Sequence, residues 1–280
     1  MQHRPISHYE NFPVASWLCP PRLRAPIAAI YHFARAADDL ADEGDANPIQ
    51  RLADVQAYRT ELEAACAKPA SPTGRWPEVF IPLRHAVSTH ALPAALLHAL
   101  LDAFVQDIEK TRDGTGYADE AGLMDYCRRS ANPVGRLLLH LYGVDDAQSL
   151  AWSDAICSAL QLTNFWQDPS RDLPRGRCYF ALDNCARWGL TLADLRNPAQ
   201  AHRANGLIAE CAASARQRMQ SGAPLVHRVP GRAGWELRLV VQGGLRILDK
   251  VQALQGRVLH ERPRLRAWDA PLLLWRAVWM

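Results

Sequence analysis

The chain has 280 residues, of which 49% are hydrophobic and 22% charged, and its 32 Lys and Arg against 29 Asp and Glu give a formal net charge of +3. This apolar fraction is too high for a disordered chain, and the near balance of charge argues against a dedicated nucleic-acid-binding protein. Seven irregularly spaced cysteines without a CxxC pair favour a reduced, cytoplasmic protein over a disulfide or zinc scaffold. No segment has the eighteen consecutive apolar residues that indicate a membrane-spanning helix.

Helical periodicity recurs along the chain, whereas alternating β-branched runs with hairpin turns are missing from the sequence. A first apolar stripe steps by four and three residues through Leu23, Ile27, Ile30, Ala34, Ala37 and Ala41. Further helices are predicted over residues 49–67, 91–111, 119–142, 147–168, 200–220, 233–258 and 265–278, with loops over 68–77 and 172–184. We therefore predict an all-α fold with one domain over residues 1–280.

The segment 37–45 is unusually acidic, with five acidic residues and no Lys or Arg: Asp38, Asp39, Asp42, Glu43 and Asp45. Asp38 and Asp42 lie one helical turn apart, so their carboxylates repel unless something offsets the repulsion. With Tyr31 and Arg35 they form a polar row beside the apolar stripe. This row either lines a cavity or forms a solvated acidic helix end.

A second polar set follows in a later predicted helix, where Gln161, Asn164 and Asp168 step by three and four residues. Pro169 disfavours helical geometry at Asp168, so we expect the helix to end there and Asp172 to lie on a turn. Two facing helices that each carry an aspartate pair suit Mg²⁺ bridging to a diphosphate. Arginines beside both sets can hold diphosphate oxygens: Arg35, Arg171, Arg175 and Arg177.

On these residues the chain resembles the squalene/phytoene synthase family, whose members are all-helical class I isoprenoid synthases with a central pocket. Residues 38–42 match its first aspartate-rich motif and residues 168–172 its second. The resemblance implies catalytic roles for Tyr126, Asp38 and Asp168, although Tyr126 can also be read as an ordinary core residue. It implies Mg²⁺ ligands at Asp38, Asp39, Asp42, Asn164, Asp168 and Asp172. It implies substrate contacts at His8, Phe12, Tyr31, Arg35, Val134, Gly135, Gln161, Arg171, Arg177 and Tyr179.

Within the family, residues 10–16, 37–45, 130–136 and 164–172 resemble the bacterial hydroxysqualene synthase branch of hopanoid biosynthesis. That branch implies Mg²⁺-dependent ionisation of presqualene diphosphate and capture of the rearranged cation by water, without NADPH. Gln167 departs from squalene synthases, which usually have Arg before the second motif, and this departure bears on diphosphate binding and on the fate of the cation.

Two other functions stay open at this point. One is a head-to-head prenyltransferase that makes presqualene diphosphate, squalene or phytoene, and the other is a non-catalytic helical scaffold or assembly factor. Retention of both carboxylate sets argues against the scaffold. The apolar tail, residues 270–280, is either a last helix packed on the core or a peripheral contact with the inner face of the membrane.

Overall fold

The computed structural model describes residues 19–67 and 74–280, which form helices joined by turns and short 3₁₀ segments, with no strand among them. The α-helices are α1 (Pro21–Asp42), α2 (Pro48–Ala67), α3 (Pro77–His90), α4 (Ala94–Asp113), α5 (Glu120–Ser130), α6 (Asn132–Tyr142), α7 (Ala147–Gln167), α8 (Pro169–Asp172), α9 (Leu182–Arg187), α10 (Ala201–Gly222), α11 (Arg232–Leu254) and α12 (Ala270–Val278). The prediction of an all-α fold is confirmed.

The helix predicted over residues 119–142 is wrong, because the structure divides it into α5 and α6. The Asp119 side chain caps α5 by accepting a hydrogen bond of 2.8 Å from the Gly122 backbone N–H. The break falls at Ala131, and Pro133 stands in the first turn of α6. Proline is tolerated in a first turn but disrupts a helix interior, so the chain restarts the helix around it.

Helix α3 was not predicted, although its buried residues Val79, Phe80, Leu83 and Ala86 have helical spacing. The loop predicted over 172–184 instead holds the end of α8, a 3₁₀ turn and the start of α9. The helix predicted over 265–278 begins as a 3₁₀ turn and becomes α-helical only at Ala270. The helix predicted over 233–258 is α-helical only to Leu254 and continues as a 3₁₀ turn.

One part of the core lies among α1, α2, α3 and α4, where the rings of Phe33, Tyr58 and Phe80 pack together. The buried Tyr58 hydroxyl donates a hydrogen bond of 3.0 Å to the Phe33 carbonyl oxygen, so no polar atom of this ring system is left unsatisfied. A second part joins α5, α7, α10 and α11. Ala212 and Ala215, both fully buried, let α10 approach α7 closely.

Helices α6 and α7 also approach each other closely, at Gly135. A Cβ atom at this position would overlap the Ser153 hydroxyl and lie 2.5 Å from the Cys157 sulfur. Glycine therefore lets α6 pack on α7 while both helices contribute to the wall of a central cavity.

The seven cysteine thiols are unpaired, and four of them are buried. Within the described residues, no helix combines the length and the apolar character that crossing a bilayer requires.

Candidate active site

A cavity of about 560 Å³ is lined by residues of both parts of the core and of a third apolar cluster that includes residues of α6, α7 and α11. Most of its wall is apolar, with contributions from α1, α4, α6, α7 and α11. Ile27, Ile30 and Ala34 of the predicted apolar stripe line the cavity, together with Tyr31, Arg35 and Asp38 of the neighbouring polar row. The polar row therefore faces a cavity along most of its length instead of forming a solvated helix end.

The Arg35 guanidinium forms ion pairs with three carboxylates of the acidic segment 37–45. It lies 3.0 Å from Asp38, 2.6 Å from Asp39 and 2.8 Å from Glu43. Burial alone would lower the pKa of Arg35, but these three carboxylates outweigh burial and raise it. Arg35 therefore supplies the positive charge that offsets the repulsion expected in this acidic segment.

Asp42 points instead to the segment that follows the second motif. Its carboxylate accepts a hydrogen bond from Arg177, which lines the cavity, and lies 3.9 Å from Arg175. Gly176 has a positive φ of 76°, which allows the turn between the two arginines. An ion pair thus joins the first motif to the segment that directly follows the second motif, far away in sequence.

Helix α7 ends at Gln167 because Asp168 leaves helical geometry, at φ −110° and ψ 17°, before Pro169. The predicted helix end is confirmed, whereas Asp172 lies at the end of the four-residue helix α8 and not on a turn. Arg262 forms a two-pronged ion pair with Asp168, in which its Nη2 is 3.0 Å from Oδ2. Burial and the charge of Asp168 raise the pKa of Asp172 to about 7.

Sequence reasoning missed Asp107 on α4, which lines the same cavity. Its carboxylate accepts a hydrogen bond of 2.5 Å from the Tyr126 hydroxyl. Burial raises the pKa of Asp107 to about 7; the hydrogen bond opposes this rise, and the charges of Asp38 and Asp172 add to it. This electrostatic coupling indicates that the fold places carboxylates from α1, α4 and α8 near one another, despite their mutual repulsion. In the sequence, the signal for Asp107 was an acidic residue between the apolar Phe104 and Ile108 of a predicted helix.

Aromatic rings surround Tyr126. Tyr179 stacks on Phe165 with ring centroids 3.7 Å apart, and Tyr126 lies 6.0 Å from Phe165 and 6.3 Å from Tyr179. Burial and the nearby Asp107 carboxylate raise the pKa of Tyr126 well above its usual value, so its hydroxyl stays protonated. Of the three rings, Tyr126 and Tyr179 line the cavity. Electron-rich ring faces stabilise positive charge, so these two rings suit a carbocation.

Gln167, which stands where squalene synthases usually have Arg, is buried and is not part of the cavity wall. Its amide N–H donates a hydrogen bond of 2.7 Å to the Pro263 carbonyl oxygen. This bond anchors the segment that carries Arg262 beside Asp168. A guanidinium therefore stands next to the second motif, although it comes from a distant part of the sequence, and sequence reasoning did not identify Arg262.

The structure brings nine of the predicted residues to the cavity wall: Tyr31, Arg35, Asp38, Tyr126, Val134, Gly135, Gln161, Arg177 and Tyr179. The cavity wall does not include six other predicted residues, which lie on α1, on α7, on α8 or, for Asp168, between α7 and α8: Asp39, Asp42, Asn164, Asp168, Arg171 and Asp172. His8 and Phe12 lie outside the described residues. The catalytic, metal-binding and substrate-binding roles of all these residues stay predictions.

Within residues 19–67 and 74–280, no three His, Cys, Asp or Glu side chains are grouped closely enough to hold a metal ion. Arginines pair with several of the candidate ligands instead, as at Asp42 and Asp168. The donor set itself is made of carboxylate and amide oxygens, the hard ligands that Mg²⁺ prefers. Burial, together with the charge of Asp168, raises the pKa of Asp172, and a divalent cation beside this carboxylate would stabilise its ionised form. The residues thus fit Mg²⁺, provided that the arginines release these carboxylates and bind a diphosphate instead.

A helical bundle around an apolar cavity, with aspartates and arginines gathered at one end, defines an isoprenoid synthase fold. Residues 7–269 match the squalene/phytoene synthase family, and the chain belongs to this family.

The chain is 32% identical to the hydroxysqualene synthase of Sinorhizobium fredii over 95% of its length and 86% of that protein. It is 34% identical to the hydroxysqualene synthase of Rhodopseudomonas palustris, over 92% of the chain and 84% of that protein. The crystal structure of squalene synthase HpnC from Alicyclobacillus acidocaldarius is similar, with a TM-score of 0.79 and 36% identity, covering 89% of this chain and 90% of that one.

Proposed function

We propose that the protein converts presqualene diphosphate and water to hydroxysqualene and diphosphate. The observation that carries this proposal is the meeting of both aspartate motifs, with their arginines, at one end of an apolar cavity. The charged end suits a diphosphate and the apolar wall suits a long hydrocarbon chain. Similarity to two hydroxysqualene synthases over most of the chain supports this choice within the family.

Mg²⁺ bound by Asp38, Asp39, Asp42, Asn164, Asp168 and Asp172 would act as a Lewis acid on the leaving diphosphate. Arg35 and Arg177, both in the cavity wall, bind diphosphate oxygens through their planar guanidinium groups. Each arginine gives up a carboxylate partner to do so, which frees Asp38 and Asp42 for the metal. Substrate binding and metal binding therefore support each other.

Loss of the C–O bond leaves a carbocation inside the aromatic part of the wall, where Tyr126 and Tyr179 stabilise it and Phe165 supports Tyr179 by stacking on its ring. A water oxygen then bonds to the cationic carbon and must lose one proton. Asp107 takes this proton, because its pKa of about 7 leaves a substantial carboxylate fraction near neutral pH. The Tyr126 hydroxyl holds the Asp107 carboxylate in position.

Product analysis tests this function. The purified protein with Mg²⁺ and presqualene diphosphate, without NADPH, is expected to yield hydroxysqualene, with ¹⁸O from labelled water in its hydroxyl group. Formation of squalene on addition of NADPH, or no turnover of presqualene diphosphate, contradicts the proposal.

A second candidate is a head-to-head prenyltransferase, favoured by the similarity to a protein named squalene synthase. Incubation with farnesyl diphosphate alone separates the two functions, since only the prenyltransferase would form presqualene diphosphate or squalene. Complete inactivity on all of these substrates would favour the scaffold function.

The proposal includes a cytoplasmic location with peripheral contact at the inner face of the membrane. A long hydrocarbon substrate and product partition into lipid, so an enzyme that acts on them gains by working at a membrane surface.

A further inference from the structure

Helix α12 turns an apolar, aromatic face toward solvent. Only Ala277 of this helix is buried, whereas Trp275 is 64% and Trp279 73% exposed, with ring centroids 5.6 Å apart. Exposed side chains on α11, on the 3₁₀ turn before α12 and on α12 complete a surface that we call the tryptophan face: Trp235, Trp268, Leu274, Trp275, Val278 and Trp279. Clustered large apolar side chains on a surface mark an interaction site.

The inner side of α12 is held firmly, so the outward direction of the tryptophan face is built into the fold. Arg238 donates hydrogen bonds of 3.1 Å to the Ala277 carbonyl oxygen and 2.6 Å to the Met280 carbonyl oxygen. Arg276 pairs with Asp249 of α11 at 3.0 Å. The buried Asp269 accepts hydrogen bonds from α11 just before α12 begins.

The charges around the tryptophan face are basic. Residues 262–280 contain four arginines and one acidic residue, the buried Asp269, and two of these arginines form ion pairs, Arg262 with Asp168 and Arg276 with Asp249. The Arg266 guanidinium lies 4.8 Å from the Trp268 ring centroid, and Arg238 lies 4.9 Å from that of Trp235. Tryptophan prefers the boundary between lipid headgroups and acyl chains, and arginine is attracted to anionic headgroups. This pairing fits an anionic bilayer surface.

The tryptophan face also adjoins the cavity through α11. Ala233, Glu236 and Leu237 of this helix line the cavity. On the same helical turns, Trp235 belongs to the tryptophan face, and Arg238 binds the backbone of α12. A bilayer docked on the tryptophan face would be separated from the apolar part of the cavity by one helix, α11. The charged end with both aspartate motifs is formed by other helices, α1 and α8.

We propose that the tryptophan face docks on the surface of a bilayer that contains anionic lipids. The side chains of Trp275 and Trp279 enter the headgroup boundary, and the arginines beside the Trp235 and Trp268 rings contact lipid phosphates. The proposal deepens the proposed function by naming the membrane-contact surface and its lipid class, and binding itself requires no turnover.

Vesicle flotation tests this docking. The full-length protein is mixed with phosphatidylcholine vesicles, either alone or with about one third phosphatidylglycerol. The wild type is expected to float with the anionic vesicles and to bind them less at high salt. Trp275→Ser with Trp279→Ser should weaken binding by at least about tenfold, because two large apolar side chains no longer leave water. Ile49→Ser with Ile81→Ser is the matched control, since both residues are exposed, on α2 and α3, and binding should not change.

Circular dichroism checks that the variants remain helical, and Arg266→Glu gives an independent reduction of binding if the tryptophan variant fails to fold. The proposal is overturned if the tryptophan variant and Arg266→Glu float as well as the wild type, or if the wild type does not float. If the wild type forms a dimer without vesicles and the Trp275→Ser, Trp279→Ser variant does not, the tryptophan face binds a second copy of the chain and not a bilayer. Turnover of detergent-dispersed substrate is measured in parallel, so loss of docking and failure of the proposed function are distinguishable.

Discussion

The hydroxyl of Tyr126 on α5 donates a hydrogen bond of 2.5 Å to the buried carboxylate of Asp107 on α4. Burial raises the pKa of Asp107, and the charges of Asp38 and Asp172 add to this rise, whereas the hydrogen bond, which favours the ionised form, and the charge of Lys110 lower the pKa. The result, a pKa of about 7, lets this carboxylate in the wall of an apolar cavity accept a proton near neutral pH.

Tyr126→Phe is expected to shift the acidic limb of the pH–rate profile to higher pH. The variant lacks the hydrogen bond that lowers the pKa of Asp107, so the carboxylate forms only at higher pH. Turnover near neutral pH should fall by about 10- to 100-fold, because a hydrogen bond to a charged group contributes about 1.5–3 kcal/mol and its loss lowers the carboxylate fraction by that factor. The measurement is kcat against pH with presqualene diphosphate.

Tyr117→Phe is the matched control. Tyr117 is equally buried and packs near Tyr126, but its hydroxyl contacts Gln106 and not Asp107. Its pH–rate profile should resemble that of the wild type. An unshifted profile in Tyr126→Phe would show that the hydrogen bond does not tune the proton acceptor.

Asp107→Asn should stabilise the metal-free protein at alkaline pH. The folded-state pKa of about 7 exceeds the usual 3.8, so between these values the folded state binds more protons than the unfolded state. Stability therefore falls as pH rises through this window, and the loss is complete above pH 7. The asparagine carries no charge and can still accept from Tyr126. We expect the free energy of unfolding to rise by about 1–4 kcal/mol at pH 8 and to change little near pH 4.

Urea unfolding with EDTA at several pH values measures this gain. Asp102→Asn serves as the control on the same helix, because Asp102 is half exposed and pairs with Arg59 at 2.7 Å. Its effect should stay below about 1 kcal/mol. A gain in Asp107→Asn that does not depend on pH would contradict the electrostatic explanation.

Asp38→Asn or Asp168→Asn should abolish turnover and leave the helical circular dichroism intact. Each change removes a predicted metal ligand, and Lewis-acid assistance contributes several kcal/mol to bond cleavage. Each wild-type carboxylate is only partly buried and already paired with an arginine, so the fold should tolerate the neutral amide. Asp145→Asn, at an exposed loop position, should retain wild-type turnover. Full activity in either motif variant would refute the metal-bridge hypothesis.

Asp269→Asn should loosen the attachment of α12. Burial alone would raise the pKa of Asp269, but hydrogen bonds from Lys250, the Arg266 backbone and Arg246 outweigh it and lower the pKa to about 2. The loss of a buried partner for two cations should cost about 3 kcal/mol in the free energy of unfolding.

Asp269 contributes to the free energy of unfolding above pH 4, because its depressed folded-state pKa keeps the carboxylate ionised. This contribution is lost as pH falls toward 2. Wild type and variant should therefore converge in stability at low pH. Asp154→Asn, which breaks a more exposed pair with Arg136, should cost less. Equal losses in the two variants would mean that burial of Asp269 adds nothing.

Features that depend on neighbours along one helix followed from the sequence. The spacing of Asp38 and Asp42 placed both carboxylates on one side of α1, and the periodicity of the apolar stripe predicted which side of α1 is buried. Pro169 similarly predicted the end of α7 at Asp168. These outcomes are set by backbone geometry over a few residues. Pro133, in contrast, was overlooked inside an otherwise helical pattern and divided one predicted helix into α5 and α6.

The partners of the charged groups were decided only by the tertiary structure. Arg262 meets Asp168, and Gln167 binds the carbonyl oxygen of Pro263, across more than ninety residues of sequence. The pKa of Asp107 near 7 likewise depends on burial and on Tyr126 of another helix. Local spacing reveals which residues share a helix face, whereas burial and charge pairing depend on how separate helices pack, because desolvation and Coulomb energies act through space.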